Sequence, residues 1–300
     1  MRLSDILHLP KDAHSLSIIK TYLEQPLTHK EYQAAFGLYF EIANQLELYH
    51  VVFEEGMQLL EELEMQSQTE YLPNLFHELF HACLKLEQFD EAKSLLEKYK
   101  QSIPVMKQYM ALQDEISYKK ALNLPIIDDL NRLLNDHVSN EIKVNTIYEI
   151  YQIYLNDHQD EMALNMLNEL DKYDHSFDLS KERLELYLRL NRDEEVIKIA
   201  LELLKHKVNL IDAVYALITV YFKRKEYHKA SSIEAEYEDL IDQQDDALKL
   251  KIFPLIIDLY KKIDSKFSID LYQKKLKVVL KREEKKPKVK DTNLIDKVTE

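Results

Sequence analysis

Residues 74–104 read NLFHELFHACLKLEQFDEAKSLLEKYKQSIP, and they carry the clearest structural signal in the chain. Their apolar residues form two stripes at helical spacing. The first stripe comprises Phe76, Leu79, Phe80 and Cys83, and the second comprises Phe89, Ala92, Leu95, Leu96 and Tyr99. The polar pair Glu87 and Gln88 separates the stripes, and Pro104 ends the second one. The stretch therefore predicts two antiparallel helices of about 14 residues joined by a tight turn.

The same apolar template recurs along the chain. Five tyrosines follow one another at intervals of 36, 33, 34 and 39 residues: Tyr118, Tyr154, Tyr187, Tyr221 and Tyr260. Each precedes by nine residues a small or branched apolar residue: Ile127, Ala163, Val196, Ala230 and Ile269. A period in the thirties predicts a solenoid, because each unit buries its apolar face only against the next. Around Tyr118 and Tyr187 the template is weak, and there it predicts a hairpin without fixing the register.

Three stretches resemble the tetratricopeptide repeat (TPR) family. KLEQFDEAKSLLEKYKQSIP at 85–104 is similar to the turn and second helix of that family, with Ala92 and Pro104 at matching positions. YLRLNRDEEV at 187–196 and YFKRKEYHKA at 221–230 are variants of it. The resemblance covers roughly 28–284. It implies an all-α fold, a right-handed α-solenoid of about seven TPR-like helix hairpins.

The organisation expected around these repeats is simple. Residues 1–27 are predicted to form an N-terminal capping helix, with Asp12 or Ser15 as its N-cap. Residues 28–284 form the TPR-like solenoid. Residues 285–300 lose the periodicity and are predicted to be a charged flexible tail. The abrupt end of the sequence leaves open a further C-terminal domain in a longer parent protein.

Composition excludes several classes of protein. Two glycines and no tryptophan in 300 residues argue against glycine-rich phosphate loops, sandwiches and barrels. One cysteine excludes an internal disulfide framework and indicates a reducing compartment. No stretch is apolar for long enough to be a signal peptide or a membrane span. We therefore expect a cytoplasmic protein.

The net charge of −14 is unevenly distributed. From Lys274 to Lys290 there are nine Lys/Arg and two Glu, whereas residues 1–273 carry a net charge of −19. An acidic body of this kind disfavours nucleic acid, whose binding depends on neutralising phosphates. The basic segment is either a solvated end of a helix or a contact for an acidic partner, a membrane surface or RNA.

His77-Glu78-Leu79-Phe80-His81 matches the H-E-x-x-H signature of zinc hydrolases. Histidines at i and i+4 share a helix face and can hold zinc, while the glutamate activates water. Such an enzyme needs a third ligand, and the residues after His81 are the second helix of the same repeat. We therefore assign no catalytic residue, no metal and no cofactor, and keep a zinc metallohydrolase through this motif as a less favoured alternative.

The TPR resemblance implies that the first helix of each hairpin lines a concave groove. The predicted peptide-binding residues on that face are Asn74, His77, His81, Asn145, Tyr148, Gln152, Lys181, Tyr215 and Thr219. Rings, amides and mixed charge suit an extended or helical peptide. The sequence thus predicts a non-enzymatic scaffold or adaptor whose acidic groove binds a basic or amphipathic protein segment. A peptide-responsive regulatory sensor is the alternative, and the oligomeric state is left open.

Overall fold

The computed structural model describes residues 2–65, 72–173 and 178–285. Over these ranges the chain is helical and contains no strand. Its internal contacts divide it into two compact units, residues 1–150 and 151–300. No helix in the described ranges is long and apolar enough to cross a membrane.

The first unit contains eight complete helices and one 3-10 turn in its described residues. These are α1 (Leu3–Leu7), α2 (Ala13–Leu23), α3 (His29–Gln45), α4 (Tyr49–Met65), α5 (Leu72–Lys85), α6 (Phe89–Ser102), the turn Val105–Lys107, α7 (Gln108–Ala121) and α8 (Ile127–Leu134). Helix α9 (Asn140–Asn156) begins in this unit and ends in the next.

The second unit continues with eight further helices in its described residues. These are α10 (Asp160–Leu170), α11 (Ser180–Arg189), α12 (Asp193–His206), α13 (Leu210–Lys223), α14 (Tyr227–Glu236), α15 (Glu238–Asp242), α16 (Asp246–Lys262) and α17 (Lys266–Lys285).

Successive helices pack as hairpins that stack on one another. In the first unit α5 packs on α6 and α7 on α8, and the first helices α3, α5 and α7 also contact in succession. In the second unit α11 packs on α12, α13 on α14 and α16 on α17, with α11 against α13 and α13 against α16. The predicted all-α helix-hairpin architecture is therefore confirmed, while the handedness of the stack stays a prediction.

Each of seven hairpin turns in the described residues uses the same C-cap. One residue in each turn has a left-handed backbone with φ between 54° and 62°: Glu47, Glu87, Asn123, His158, Asn191, Lys225 and Asp264. The next amide donates to a carbonyl five residues earlier at 2.8–3.1 Å. This is the Schellman motif, which closes the first helix and turns the chain back. Because the motif is formed by the backbone, it gives an alignment of the hairpin sequences that does not depend on their side chains.

The turns correct the register of the third hairpin. There the amide of Leu124 donates to the carbonyl of Lys119, so the repeat position is Lys119 and the predicted Tyr118 is one residue early. The connection between α7 and α8 has five residues, 122–126, where the other hairpins have three. As a result Leu130, at 2% exposure, is the deeply buried residue of α8, and Ile127 is half-buried.

The tyrosine ladder lies at the edge of the core. All five tyrosines are half-buried. Of the apolar residues that follow them by nine positions, Ala163, Val196 and Ala230 are fully buried, whereas Ile127 and Ile269 are half-buried. Cations lie over two of the rings, Arg192 over Tyr187 at 6.0 Å and Lys229 over Tyr221 at 5.4 Å. The rings thus lie partly buried at the edge of the core, and the hydroxyl of Tyr260 donates a hydrogen bond to the carboxylate of Glu234.

Two helices lie in the segment predicted to form one capping helix. Both α1 and α2 pack against α3. The side chain of Asp12 accepts a hydrogen bond from the amide of Ser15 at 2.9 Å, so Asp12 is the N-cap of α2. The function of residues 1–27 as a cap stays a prediction, and the predicted tail from residue 286 onward lies outside the described residues.

Candidate functional site

Acidic residues occupy one repeat position in three successive first helices of the first unit, α5, α7 and α9, whereas α3 has Leu38 there. Counting back five residues from the carbonyl that accepts the turn hydrogen bond gives Glu78 in α5, Asp114 in α7 and Glu149 in α9. We call these three residues the acidic ladder. Each contacts the first helix of the preceding hairpin: Glu78 contacts Asn44, and Glu149 contacts Lys120. The ladder therefore links one hairpin to the next.

Asp114 contacts two histidines of α5. Its Oδ2 lies 2.7 Å from Nδ1 of His77, and its Oδ1 lies 3.2 Å from Nε2 of His81. Asp114 is 2% exposed, whereas the side chains of His77 and His81 are 30% and 38% exposed. The two imidazole rings meet edge to face with centroids 4.6 Å apart. We call these three residues the histidine–aspartate cluster.

The negative charge of Asp114 and the positively charged form of His77 stabilise each other. Burial alone would raise the pKa of Asp114, but hydrogen bonds from His77 and His81 outweigh it and lower that pKa below its usual value. Burial alone would lower the pKa of His77, but its hydrogen bond to Asp114 and the charge of that carboxylate raise it. The nearby Tyr99 has a raised pKa, first because it is buried and second because Asp114 is negative. Asp114 is thus held as a carboxylate.

The side chains of the H-E-x-x-H motif contact two different neighbouring hairpins. Its histidines contact Asp114 in the following hairpin, which supplies the third ligand type that the residues after His81 do not. Its glutamate, Glu78, accepts a hydrogen bond from Nδ2 of Asn44 in the preceding hairpin at 2.6 Å. The motif therefore offers metal ligands, while the carboxylate that would activate water in a hydrolase is engaged in a structural hydrogen bond.

A cavity of about 280 Å³ adjoins His77 in the first unit. It lies between α3 and α5, and α4, α6 and α7 contribute to its walls. Its lining residues are Tyr32, Gln33, Phe36, Gly37, Phe40, Glu41, Leu59, Leu63, Asn74, Leu75, His77, Glu78, Tyr99 and Met110. Tyr32 stacks on Phe36 with centroids 5.8 Å apart, and Phe36 meets Phe40 edge to face. We call this the aromatic cavity; one wall is apolar and its rim carries carboxylates.

The structure brings some of the sequence-predicted residues together. Asn74 and His77 line the aromatic cavity, while His81 joins the histidine–aspartate cluster. Asn145 is exposed and lines a shallow depression with Glu149. Tyr148 is 46% exposed.

The remaining predicted residues belong to the second unit. Tyr215 and Thr219 line a second cavity of about 470 Å³ together with Glu185. Lys181 lies 3.7 Å from Asp212 in an exposed ion pair, and Gln152 on α9 is half-buried. The nine predicted residues therefore fall into separate groups, and in neither unit do all of them line one cavity.

Sequence reasoning missed Asp114 as a site residue. It lies 37 residues after His77, about one repeat. Asp114 stands at a position where the apolar template predicts a packed, uncharged residue. This departure from the template was the available signal, because a carboxylate that lies where neighbouring first helices pack requires a polar partner.

A second buried carboxylate, in the second unit, was also missed. Glu234 in α14 is 2% exposed and accepts hydrogen bonds from the hydroxyls of Tyr260 and Tyr272. Burial raises the pKa of Glu234, with a smaller increase from Glu238; the two tyrosine hydroxyls and Lys275 act in the opposite direction. Lys275 is itself paired with Glu238 at 2.8 Å. This arrangement joins α14 to α16 and α17.

Comparisons with known proteins add little to this description. No protein-family model matches the chain, and no curated protein matches it. Among solved structures it is similar to the TPR domain of P58(IPK), with 12% identity over 90% of this chain and 75% of that one, at a TM-score of 0.29. At a TM-score this low, no conclusion about this chain follows from the match.

Proposed function

We propose that the chain is a non-enzymatic, cytoplasmic protein-binding module, and that the aromatic cavity of the first unit binds a peptide segment of its partner. One observation carries the proposal: the first helices α3 and α5 leave a preformed apolar cavity bordered by carboxylates. Cavities lined by rings and a few placed polar groups are the usual form of a binding site. In stacked helix hairpins such surfaces are the common working face.

The lining of the aromatic cavity indicates the chemistry of the partner. Tyr32, Phe36 and Phe40 present ring surface that suits an aliphatic or aromatic side chain. Glu41 and Glu78 at its border suit a neighbouring lysine or arginine. Glu41 is paired with Lys11 at 2.6 Å in a half-exposed ion pair. A pair of that kind stabilises by only about 0–1 kcal/mol, so a basic ligand displaces it at small cost.

Gly37 allows the proposal to be tested without unfolding the helix. It lies in α3, lines the cavity, and a Cβ added there meets no atom within 4 Å. Gly37→Leu extends a side chain into the cavity, while Gly37→Ala adds one methyl group and is the matched control. Both substitutions favour the helix, because glycine is the poorer helix former by about 1 kcal/mol.

The experiment selects peptides from a displayed random library on the wild-type chain and measures their Kd by fluorescence anisotropy. We expect binders with an apolar residue next to lysine or arginine. Gly37→Leu should weaken them at least about 10-fold, equivalent to about 1.4 kcal/mol, and Gly37→Ala should weaken them less than about 3-fold. Binders that keep their affinity for Gly37→Leu would place the binding site elsewhere.

The second cavity provides the internal comparison. Tyr215→Ala removes ring surface from that cavity, in the second unit. Peptides selected through the aromatic cavity should retain their affinity for this variant. If Tyr215→Ala removes binding and Gly37→Leu does not, the proposal is wrong about the unit that binds.

A further inference from the structure

We propose that His77, His81 and Asp114 form a binding site for a divalent transition-metal ion such as Zn²⁺, which links α5 to α7. Each of these residues offers one ligand atom, and the three atoms all lie within 4.8 Å of one another. The inference concerns the metal alone and is independent of peptide binding in the aromatic cavity.

The backbone places two of the ligands. His77 and His81 are four residues apart on α5, so both rings project from the same face of the helix. Asp114 lies on α7, the first helix of the next hairpin, at the repeat position that Glu78 occupies in α5. The site is therefore built by the contact between consecutive first helices, and it does not depend on a loop.

The distances suit a metal after rotation of the side chains. The carboxylate oxygens lie 2.7 Å and 3.2 Å from the imidazole nitrogens. Zinc bonds of about 2.0–2.2 Å in a tetrahedral arrangement separate neighbouring ligand atoms by roughly 3.3 Å. The two carboxylate–imidazole distances are thus within about 0.6 Å of that value. The imidazole nitrogens lie within 4.8 Å of each other, so an ion between the groups requires them to approach by up to about 1.5 Å through side-chain rotation.

The ligand set selects the class of metal. Two imidazoles and one carboxylate favour zinc, copper, nickel or iron, whereas magnesium and calcium prefer sites built of oxygen alone. Three protein ligands leave a fourth position for water or a donor group, as in open metal sites. The histidines are about one third exposed, which gives an ion a path from solvent, and the buried Asp114 is held in place by its contacts with both imidazoles.

The test uses the full chain after removal of metal by a chelator. Zinc is added in a calorimeter, and Co²⁺ is added in parallel because its visible absorption reports tetrahedral coordination. We expect one zinc per chain, a tetrahedral cobalt spectrum, and no response to Mg²⁺. Zinc at about 100 times its Kd should raise the Tm by about 5–10 °C, because it binds only the folded chain.

Three variants separate this site from an ordinary pair of helical histidines. Asp114→Asn keeps the size of the side chain and removes the charged ligand. His81→Gln removes one imidazole. His50→Ala, an exposed histidine on α4, is the matched control. We expect Asp114→Asn and His81→Gln each to weaken zinc at least about 10-fold, and His50→Ala to leave it unchanged.

Either of two results would overturn the proposal. One is an affinity for zinc that Asp114→Asn does not reduce, which would leave only a two-histidine chelate. The other is the absence of zinc and cobalt binding by the wild-type chain. Far-UV circular dichroism and the metal-free Tm of each variant show whether a loss of binding is a loss of folding. If Asp114→Asn does not fold, the cobalt spectrum of the wild-type chain decides, because a two-histidine chelate completed by water would not give a tetrahedral spectrum.

Discussion

Asp114 in the first unit and Glu234 in the second unit are both 2% exposed, and both join consecutive helix hairpins. Asp114 is held by the imidazoles of His77 and His81. Glu234 is held by the phenol hydroxyls of Tyr260 and Tyr272. In each case the repeat has buried a carboxylate at a position where an apolar residue would also pack, and a different kind of donor satisfies it.

The donors decide what each carboxylate can do. Imidazoles can carry a positive charge and can bind metals, so the pKa of Asp114 is lowered by its partners despite burial. Phenols remain neutral, and the pKa values of Tyr260 and Tyr272 are themselves raised, first by burial and then by Glu234. Burial raises the pKa of Glu234, and the hydrogen bonds from the two phenols, which act in the opposite direction, do not cancel that increase. The two carboxylates thus have the same structural role, which is to join helix hairpins. Only the donors to Asp114, the two imidazoles, are groups that commonly bind metal ions.

The largest expected effect comes from removing both phenol hydroxyls. Tyr260→Phe with Tyr272→Phe keeps the ring packing but leaves the buried Glu234 without these two donors. We expect the free energy of unfolding at pH 7 to fall by about 3–5 kcal/mol, because two hydrogen bonds to a buried carboxyl group are lost together at about 1–3 kcal/mol each. Urea unfolding followed by circular dichroism measures it.

The control for that prediction replaces the carboxylate as well. In a Glu234→Met background the same double substitution should cost less than about 1 kcal/mol, because no buried carboxyl group remains to lose its hydrogen bonds. An equal cost in both backgrounds would show that the hydroxyls act through packing and not through Glu234.

Asp114→Ala should have a smaller effect, although Asp114 is equally buried. His77 and His81 are about one third exposed, so after the substitution both rings can turn to water and form hydrogen bonds there. We expect a loss of about 1–3 kcal/mol in metal-free buffer. Asp157→Ala, an exposed aspartate, is the control and should change stability by less than about 0.5 kcal/mol. A loss as large as that of the double tyrosine variant would contradict the contrast between the two clusters.

The pH dependence of Glu234→Gln tests the direction of the Glu234 shift. A raised pKa means that the folded state binds the proton more tightly than the unfolded chain, whose value is 4.5. The stabilisation from this group is therefore complete below pH 4.5 and is lost as the pH rises through the folded pKa. Gln is neutral throughout, so the stability of the variant relative to wild type should increase between pH 4 and pH 7.

The groups that face Glu234 are Tyr260, Tyr272, Glu238 and Lys275, and the substitution leaves them all in place. Urea unfolding at a series of pH values measures the difference. Glu202→Gln, on the exposed side of α12, should show no such trend. A relative stability that decreases with pH would mean that the pKa of Glu234 is lowered in the folded chain.

The hairpins could be predicted from the sequence because their signals are local. The stripes of residues 74–104 lie within single helices, and the turn between them follows within three residues. The register around Tyr118 could not be predicted, because it depends on a connection that is two residues longer than the others and no glycine marks it. Leu130 and Lys119 therefore occupy the positions that Ile127 and Tyr118 were expected to fill.

The candidate site shows the same division between local and distant signals. The spacing of His77 and His81 on one helix face is visible in the sequence. Their partner Asp114 depends on how α5 and α7 stack, and that distance is set by side chains of both hairpins. For the same reason Glu234 could not be matched with Tyr260 and Tyr272, which follow it by 26 and 38 residues. The spacing of residues within a helix predicts which side chains share a face. Which residues of other helices contact that face depends on how the helices pack.

The smallest expected effect comes from the exposed member of the acidic ladder. Glu149 occupies the position of Asp114 in the next first helix, but its partner Lys120 is 47% exposed and Glu149 itself is 32% exposed. Water competes with such a pair and both side chains lose rotamer freedom, so Lys120→Ala should lower the free energy of unfolding by only about 0.2–1 kcal/mol. Raising the salt concentration should shrink this difference further, since exposed charges are screened. Urea unfolding at low and high salt measures both quantities. A cost comparable to Asp114→Ala would mean that position in the repeat, and not burial of the carboxylate, sets the strength of each contact in the ladder.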